Sequence, residues 1–429
     1  MRFEASKGGL GESGNGEEEV TLRLTVSVAR LFAATAVVAL ALVGSAAAGP
    51  PPGDLANAPA TPDNLSSEQW SLEQIGAFDA HETTGGSQLV RVALIDSGID
   101  PGHPEFAGRI DAVNSASCLS GEPVTDPTGA LWRDNNGHGT HVAGIIAAGD
   151  NGFGIVGVAP NVQLLIVKVS NPGLPITPQA AACAFEYVAG QNVDIANASF
   201  AVDKGPTGAA DQLDFFCRSD KADHAAIKLV DEAVHDALRS GTTIVASAGN
   251  NNIDMAHPAL GDDCIRMPVE LSGVIGVSSD GRFGQRATPP NPGPSNYGVG
   301  VIDLVAPGGD DLQGGPVDGR ILSTFPSYIP VPPTAMPSTI DGGATYRYSL
   351  GTSQAAAHVS GVAALIVSRF GDLKSPQNGK LRPGFVRATL SETAEPKPCP
   401  PDARCEGGES YNGFFGHGEV DALAALLHN

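Results

Sequence analysis

The run LVRVALI at 89–95, followed by Asp96-Ser97-Gly98, is apolar and rich in β-branched residues but for one arginine. Its length is that of a strand, and a strand apolar on both faces needs cover on both. Runs of the same character recur at 163–169 (QLLIVKV), 193–197 (VDIAN), 242–247 (TTIVAS), 273–278 (GVIGVS) and 301–305 (VIDLV). Helical spacing takes over between several of them. Within 221–240, Ile227, Val230, Val234, Ala237 and Leu238 share one face. Residues 353–370 are apolar nearly all round, which predicts a buried helix. Strands and helices in alternation predict an α/β fold of three layers, a mostly parallel central sheet with helices on both faces. Ligands in such sheets collect at the carboxyl ends of the strands, so the chemistry is expected there. Pro and Gly crowd 281–296 and 325–345, which read as surface loops.

Composition narrows the field. The chain has 429 residues, 41% hydrophobic and 17% charged, enough to bury a sizeable core and too apolar for wholesale disorder. Gly (54) and Pro (33) predict many turns, and no period suggests a repeat architecture. A net charge of −22 repels phosphate, which argues against nucleic acid and anionic membranes and suits solubility and cation binding.

Residues 1–48 read as an N-terminal extension and signal peptide. The run LFAATAVVALALVGSAAAG at 31–49 follows Arg23 and Arg30, and Ala46-Ala47-Ala48 supplies a small-residue cleavage pattern. As a membrane anchor the run is short for a bilayer and rich in alanine, which favours the signal peptide. No Arg-Arg pair marks a twin-arginine signal. Glu17-Glu18-Glu19 is unlike a signal n-region, so translation is expected to start near Val20. The product is expected to be secreted, soluble, monomeric and free of the membrane once the signal is removed. Residues 49–64 are a Pro/Ala-rich linker or minimal pro-segment, and 65–429 read as one domain.

Six cysteines fit an oxidising compartment and no zinc pattern. Cys399 and Cys405 bracket a short loop and are expected to pair; Cys217 with Cys264 is the second expectation. Cys183, set among Ala and Phe in a helical pattern, reads as an inert buried thiol.

Four segments carry chemistry. VALIDSGID (92–100) places Asp96 at the end of a buried strand, and GHGTHVAG (137–144) places His138 at a helix start. LGTSQAA (350–356) places Ser353 at the N-terminus of the buried helix, and in ASAGN (246–250) Asn250 closes the fourth strand. A serine hydroxyl needs a base to take its proton, and the base needs a carboxylate to fix its tautomer. An asparagine amide and a backbone N–H at a helix N-terminus can both donate to a developing oxyanion.

In this order and spacing the segments resemble the subtilisin-like serine proteases (subtilases), over essentially all of 65–428. The resemblance implies a catalytic domain in which Asp96 orients the base, His138 is base and then acid, Ser353 attacks and Asn250 stabilises the oxyanion. It implies polypeptide substrates, with Ser199-Phe200-Ala201 pairing with the substrate backbone. Gly157-Val158-Ala159-Pro160, Met267-Pro268, Ser295-Asn296-Tyr297-Gly298, Ala306-Pro307-Gly308 and the turn at 416–421 (GHGEVD) are similar to family landmarks. The chain departs from the pattern at Gln354 and Ala357, where the family usually has Met and Pro. Inserts around Cys118 and at 201–222 are expected to shape the substrate rim. Few residues separate the signal from Trp70, too few for the usual folding-assisting prodomain.

GDNGFGI (149–155) resembles the family's calcium loop. The resemblance implies an amide oxygen from Asn151, carbonyls from Gly149, Phe153 and Ile155, and a carboxylate from Glu105. The match of 152–157 to GxGxxG lacks the strand before and helix after that nucleotide binding needs. His138 and His141 have zinc-like spacing but no local carboxylate or cysteine to complete a set. An esterase or lipase would place its serine first, in GxSxG. A non-catalytic binding protein would have no use for all four groups.

Overall fold

Residues 63–204, 215–288, 294–311, 315–332, 336–375, 379–402 and 404–428 are described by a computed structural model. The expected signal peptide, nearly all of 49–64, and the middle of the insert at 201–222 lie outside the described residues.

The strands are β1 (Arg91–Asp96), β2 (Ala116–Ser117), β3 (Val124–Thr125), β4 (Gln163–Lys168), β5 (Ile195–Ala198), β6 (Phe215–Cys217) and β7 (Thr243–Ser247). They continue with β8 (Cys264–Arg266), β9 (Ile275–Asp280), β10 (Leu304–Pro307), β11 (Ile321–Phe325), β12 (Ser338–Asp341) and β13 (Ala344–Ser349). The helices are α1 (Trp70–Gln74), α2 (Ala77–His81), α3 (His138–Ala147), α4 (Pro178–Ala189) and α5 (Lys221–Ser240). The last four are α6 (Gly315–Asp318), α7 (Thr352–Phe370), α8 (Pro383–Thr393) and α9 (Ala422–Leu427).

The run that decides the fold is β1, the fifth strand in the sheet order β10-β9-β7-β5-β1-β4-β2-β3. All neighbours are parallel except β2 and β3. Alternate residues of β1 enter different cores. Val92 and Leu94 join a cluster with Val142 and Ile146 of α3 and Val362, Leu365 and Ile366 of α7. Ala93 and Ile95 join another with Phe185 of α4 and Val230 and Val234 of α5. This is the expected three-layer α/β arrangement. Each buried Leu or Ile contributes about 1.5–3 kcal/mol, and α7, with sixteen buried residues from Thr352 to Val367, lies wholly inside one layer. Helix α5 shows the amphipathic alternative. It starts on Asp220, whose side chain accepts from the N–H of Ala222 and Asp223, and stops at Gly241 in the left-handed region.

Two expectations need correction. The stretch 325–345 is not all loop, because β12 and β13 form a hairpin that adds to β11 in an antiparallel sheet. Its turn is Gly342-Gly343, both at positive φ, the requirement of a tight hairpin turn. Tyr346 and Tyr348 pack from β13 onto Ala148 and Ile155. Cys183 is not a free thiol but is bonded to Cys118, which ties the insert carrying β2 to α4. The chain folds β2 back beside α4, a return that local sequence pattern does not encode. The pairs Cys217–Cys264 and Cys399–Cys405 are as expected.

Candidate active site

Asp96 ends β1 at the carboxyl edge of the sheet and is 3% exposed. Its Oδ1 accepts from the Ser97 N–H at 2.6 Å and lies 2.8 Å from Nδ1 of His138, with Oδ2 at 3.0 Å. A carboxylate on Nδ1 places the proton there and leaves Nε2 free as a base. His138 is the first residue of α3, half-exposed at its edge. Burial, the largest influence, pulls its pKa down. The Asp96 charge, the hydrogen bond to it and the more distant Asp134 outweigh that, so the pKa is raised. The preceding Gly137 has φ of 95°, and a Cβ there would lie 2.2 Å from the Phe325 ring, so only glycine fits.

Two positioning residues escaped the sequence reading. Asp134 is buried and caps the entrance to α3: it accepts from the N–H of Asn136, Gly137 and Thr140 and from the hydroxyls of Ser97 and Thr140. An Asp four residues before a Gly-His helix start is the signal that could have found it. Lys168 ends β4 in register with Asp96. Its ammonium donates to the Ser97 carbonyl, the Arg133 carbonyl (3.1 Å) and Asn135 Oδ1 (3.0 Å), stitching the Asp96 turn to the Asp134 loop. Burial pushes Lys168 down to about 8 against the pull of Asp134 and Asp96.

Ser353 is the second residue of α7, and its N–H belongs to the first turn, which has no intrahelical acceptor. Asn250 lies three residues past β7 and is exposed. Its Oδ1 accepts from the Thr352 N–H at 2.8 Å and from the Thr352 hydroxyl at 3.1 Å. A backbone N–H can face only an acceptor, so this fixes which amide atom is oxygen and leaves Nδ2 as the donor end of the amide. Thr352 Oγ1 in turn accepts from the Gly249 N–H at 2.9 Å. The Ser353 hydroxyl donates to the Ser199 carbonyl at 3.2 Å, and the Ser199 hydroxyl to the Ser353 carbonyl at 3.0 Å. The serine is thus parked on the segment just past β5 rather than on His138, and catalytic bonds of this kind commonly close only with substrate bound. Helices α3 and α7 meet beside both groups, where Gln354, the residue after Ser353, donates its Nε2 to Nδ1 of His141, three residues on from His138, at 3.3 Å. His141 Nε2 donates to the Arg347 carbonyl, and burial pushes its pKa down to about 3, so it stays neutral. That commitment removes the zinc-like pairing with His138.

Beside Ser353 opens a cavity of about 390 Å³ lined by Ser199, Phe200, Ala201, Asn250 and Asn251. The segment expected to pair with a substrate backbone therefore borders the nucleophile.

In the 149–155 loop, Asn151 donates its Nδ2 to Glu105 Oε2 at 2.8 Å, while its Oδ1 takes the Phe153 N–H. One accepted bond leaves Oδ1 a second lone pair for a cation. Glu105 Oε1 accepts from the Ile155 N–H and the Tyr346 hydroxyl. Asp63, which the sequence reading did not name, accepts from the N–H of Gly152 and Asn151, and its Oδ2 is buried with no hydrogen-bond partner among the described residues. Burial pushes Asp63 up to about 6 and Glu105 up to about 7. The carbonyls of Gly149, Phe153 and Ile155 accept none of the backbone bonds around the loop among the described residues. Among those residues no three His, Cys, Asp or Glu converge as a metal cluster, so a cation here would lean on main-chain oxygens. An orphaned carboxylate oxygen and two under-compensated acids fit a hard cation.

A protein-family model described as the subtilase family matches residues 87–418. Subtilisin DY of Bacillus licheniformis is 32% identical over 337 residues, covering 78% of this chain and 90% of its own length. The M-protease of Shouchella clausii is 30% identical, with coverage of 83% and 69%. Among solved structures, a protease of Pseudoalteromonas arctica superposes with a TM-score of 0.61 at 28% identity, covering 86% of this chain and 99% of its own.

Proposed function

The chain belongs to the subtilase family of serine proteases, and on that premise we propose that it is a secreted endopeptidase acting through an acyl-enzyme on Ser353. The observation that carries the assignment is the Asn250 amide, whose Oδ1 is pinned by Thr352 and which lines the same cavity as Ser353.

A polypeptide lies extended along Ser199–Ala201. The Ser353 hydroxyl turns from the Ser199 carbonyl to Nε2 of His138. Its Oγ bonds to the carbonyl carbon as the proton passes to Nε2, and the carbonyl electron pair moves onto oxygen. The Asn250 amide and the Ser353 N–H take that oxyanion. Collapse breaks the C–N bond, with the proton on Nε2 going to the leaving amine. Water then repeats the sequence on the ester and frees the serine. Asp96 stabilises the imidazolium throughout without taking its proton.

Export is supported by the apolar run at 31–49 and by the pairing of all six cysteines. We read 49–64 as a linker or minimal pro-segment, 65–429 as the catalytic domain and the mature enzyme as a monomer. Calcium at the 149–155 loop, held by Asp63, Glu105, Asn151 and the carbonyls of Gly149, Phe153 and Ile155, would add to the positive charge that Arg109 already brings near Asp63 and Glu105; its role is structural.

A fluorophosphonate probe tests the assignment. It is expected to label the protein at Ser353 and to leave Ser353→Ala unlabelled. A folded wild type that stays unlabelled would overturn the enzymatic reading.

A further inference from the structure

We propose that Arg266 makes the cavity beside Ser353 a receptor for an acidic side chain, so that the enzyme cleaves after glutamate or aspartate. This rests on the endopeptidase reading above.

The oxyanion held by Asn250 belongs to the carbonyl of the acyl-side residue, so the side chain of that residue enters the adjoining cavity. Much of the wall is small or neutral (Ala201, Ser247, Gly249), and two charged residues complete it, Arg266 and Asp203. Arg266 is 2% exposed. It ends β8, pairs across to Phe215 of β6, and is anchored two residues away by the Cys217–Cys264 disulfide. Its guanidinium lies over the Phe215 ring at 5.2 Å. On the other side its Nη2 would be only 3.2 Å from a Cβ placed on Gly249, the residue before Asn250. A cation is therefore fixed in the pocket wall one residue from the oxyanion amide. Gly249 itself is at φ 97°, and any side chain there would meet Asn296 at 2.6 Å, so the approach of Arg266 is kept open.

Asp203 sits nearer the rim, half-buried, and its Oδ2 accepts the Ile176 N–H at 2.9 Å. Arginine offers five donors in a rigid fork, so one guanidinium can hold a wall partner and a substrate carboxylate together. A lysine entering the same cavity would meet a buried like charge.

The experiment compares peptides that differ only at the acyl-side residue: Glu, Gln, Leu and Lys. The wild type is expected to cleave after Glu about tenfold better than after Gln in kcat/KM, as a charge-assisted pair allows, with Lys poorest. Arg266→Met should bring the Glu/Gln ratio to near unity while Leu is still cleaved, and Arg266→Lys should restore part of it. Should Arg266→Met fail to fold, peptide aldehydes ending in Glu or Gln read the same preference as inhibition of the wild type. Equal use of Glu and Gln, or a preference for Lys with Asp203 as the selecting group, would overturn the proposal. Fluorophosphonate labelling together with Leu cleavage would then leave the endopeptidase reading standing, whereas absence of labelling would remove both.

Discussion

At the scale of single residues, the site is a set of side chains whose freedom has been taken away by neighbours. His138 accepts a proton only when neutral. Its pKa is raised because Asp96 and Asp134 outweigh burial, and a raised pKa keeps the imidazolium to higher pH. The acid limb of kcat/KM is therefore expected to begin above the ordinary imidazole value of about 6.5. Asp96→Asn should move that limb down and cut kcat by about 10⁴, because an amide facing Nδ1 favours the wrong tautomer. A profile flat from pH 8 to pH 5 would remove histidine as the base. Gln354 carries a second expectation. It follows the nucleophile, is 2% exposed, and fills the place where the family usually has an oxidisable methionine. Met255 and Met267 are both buried. Activity should thus outlast dilute peroxide well beyond that of a Gln354→Met variant, measured as half-life of hydrolysis; equal half-lives would refute it.

At the scale of elements, catalytic geometry depends on how closely α3 lies on β11. A Cβ on Gly144 would fall 2.4 Å from both Ser323 Oγ and Thr324 Oγ1 and 3.0 Å from the Thr324 N. Those hydroxyls donate to the His141 and Thr140 carbonyls, so they cannot swing away without breaking bonds to α3. Gly144→Ala should cost about 1–3 kcal/mol by overpacking and lower kcat by displacing the helix that begins with His138. Gly408, with open space around it, serves as the neutral control for the same substitution. An unchanged melting temperature for Gly144→Ala would contradict the argument. The same elements show what was legible in sequence. Strands buried on both faces advertise themselves as apolar runs, so β1, β4, β5, β7, β9 and β10 fall within a few residues of their expected positions. The hairpin of β12 and β13 hid behind a Pro- and Gly-rich composition, though Gly342-Gly343 marked its turn. Asp96, His138, Ser353 and Asn250 were readable because each sits at an element end with short local motifs. Lys168 was not, because its role comes from a contact with the distant Ser97 turn, and Asp134 carried only its spacing to the Gly-His helix start.

At the scale of the whole molecule, stability against pH is set by two buried populations of opposite sign. His103, His141 and His358 are buried and His81 is half-buried, and all four have lowered pKa values, desolvation being the chief cause in each. Their folded pKa lies below the unfolded one, so they destabilise the fold as pH falls below about 6.5. Asp63, Glu105 and Glu270 are raised to about 6, 7 and 7, again chiefly by burial. They bind protons more tightly folded than unfolded, so the stability they contribute is complete below the ordinary carboxyl value of about 4 and is lost as pH rises through 6 to 7. Two of these three acids face the 149–155 loop, which separates the effect of a cation from the background titration. At pH 8 Asp63 and Glu105 are ionised and under-compensated, and calcium should raise the melting temperature by on the order of a few degrees. At pH 5 protons already occupy both carboxyls, and calcium should raise it little. Asp63→Asn should abolish the gain at pH 8 by removing the orphaned oxygen while leaving the acid side of the curve unchanged. A calcium increment that is the same at both pH values, or that survives Asp63→Asn, would place the cation elsewhere or nowhere on the molecule.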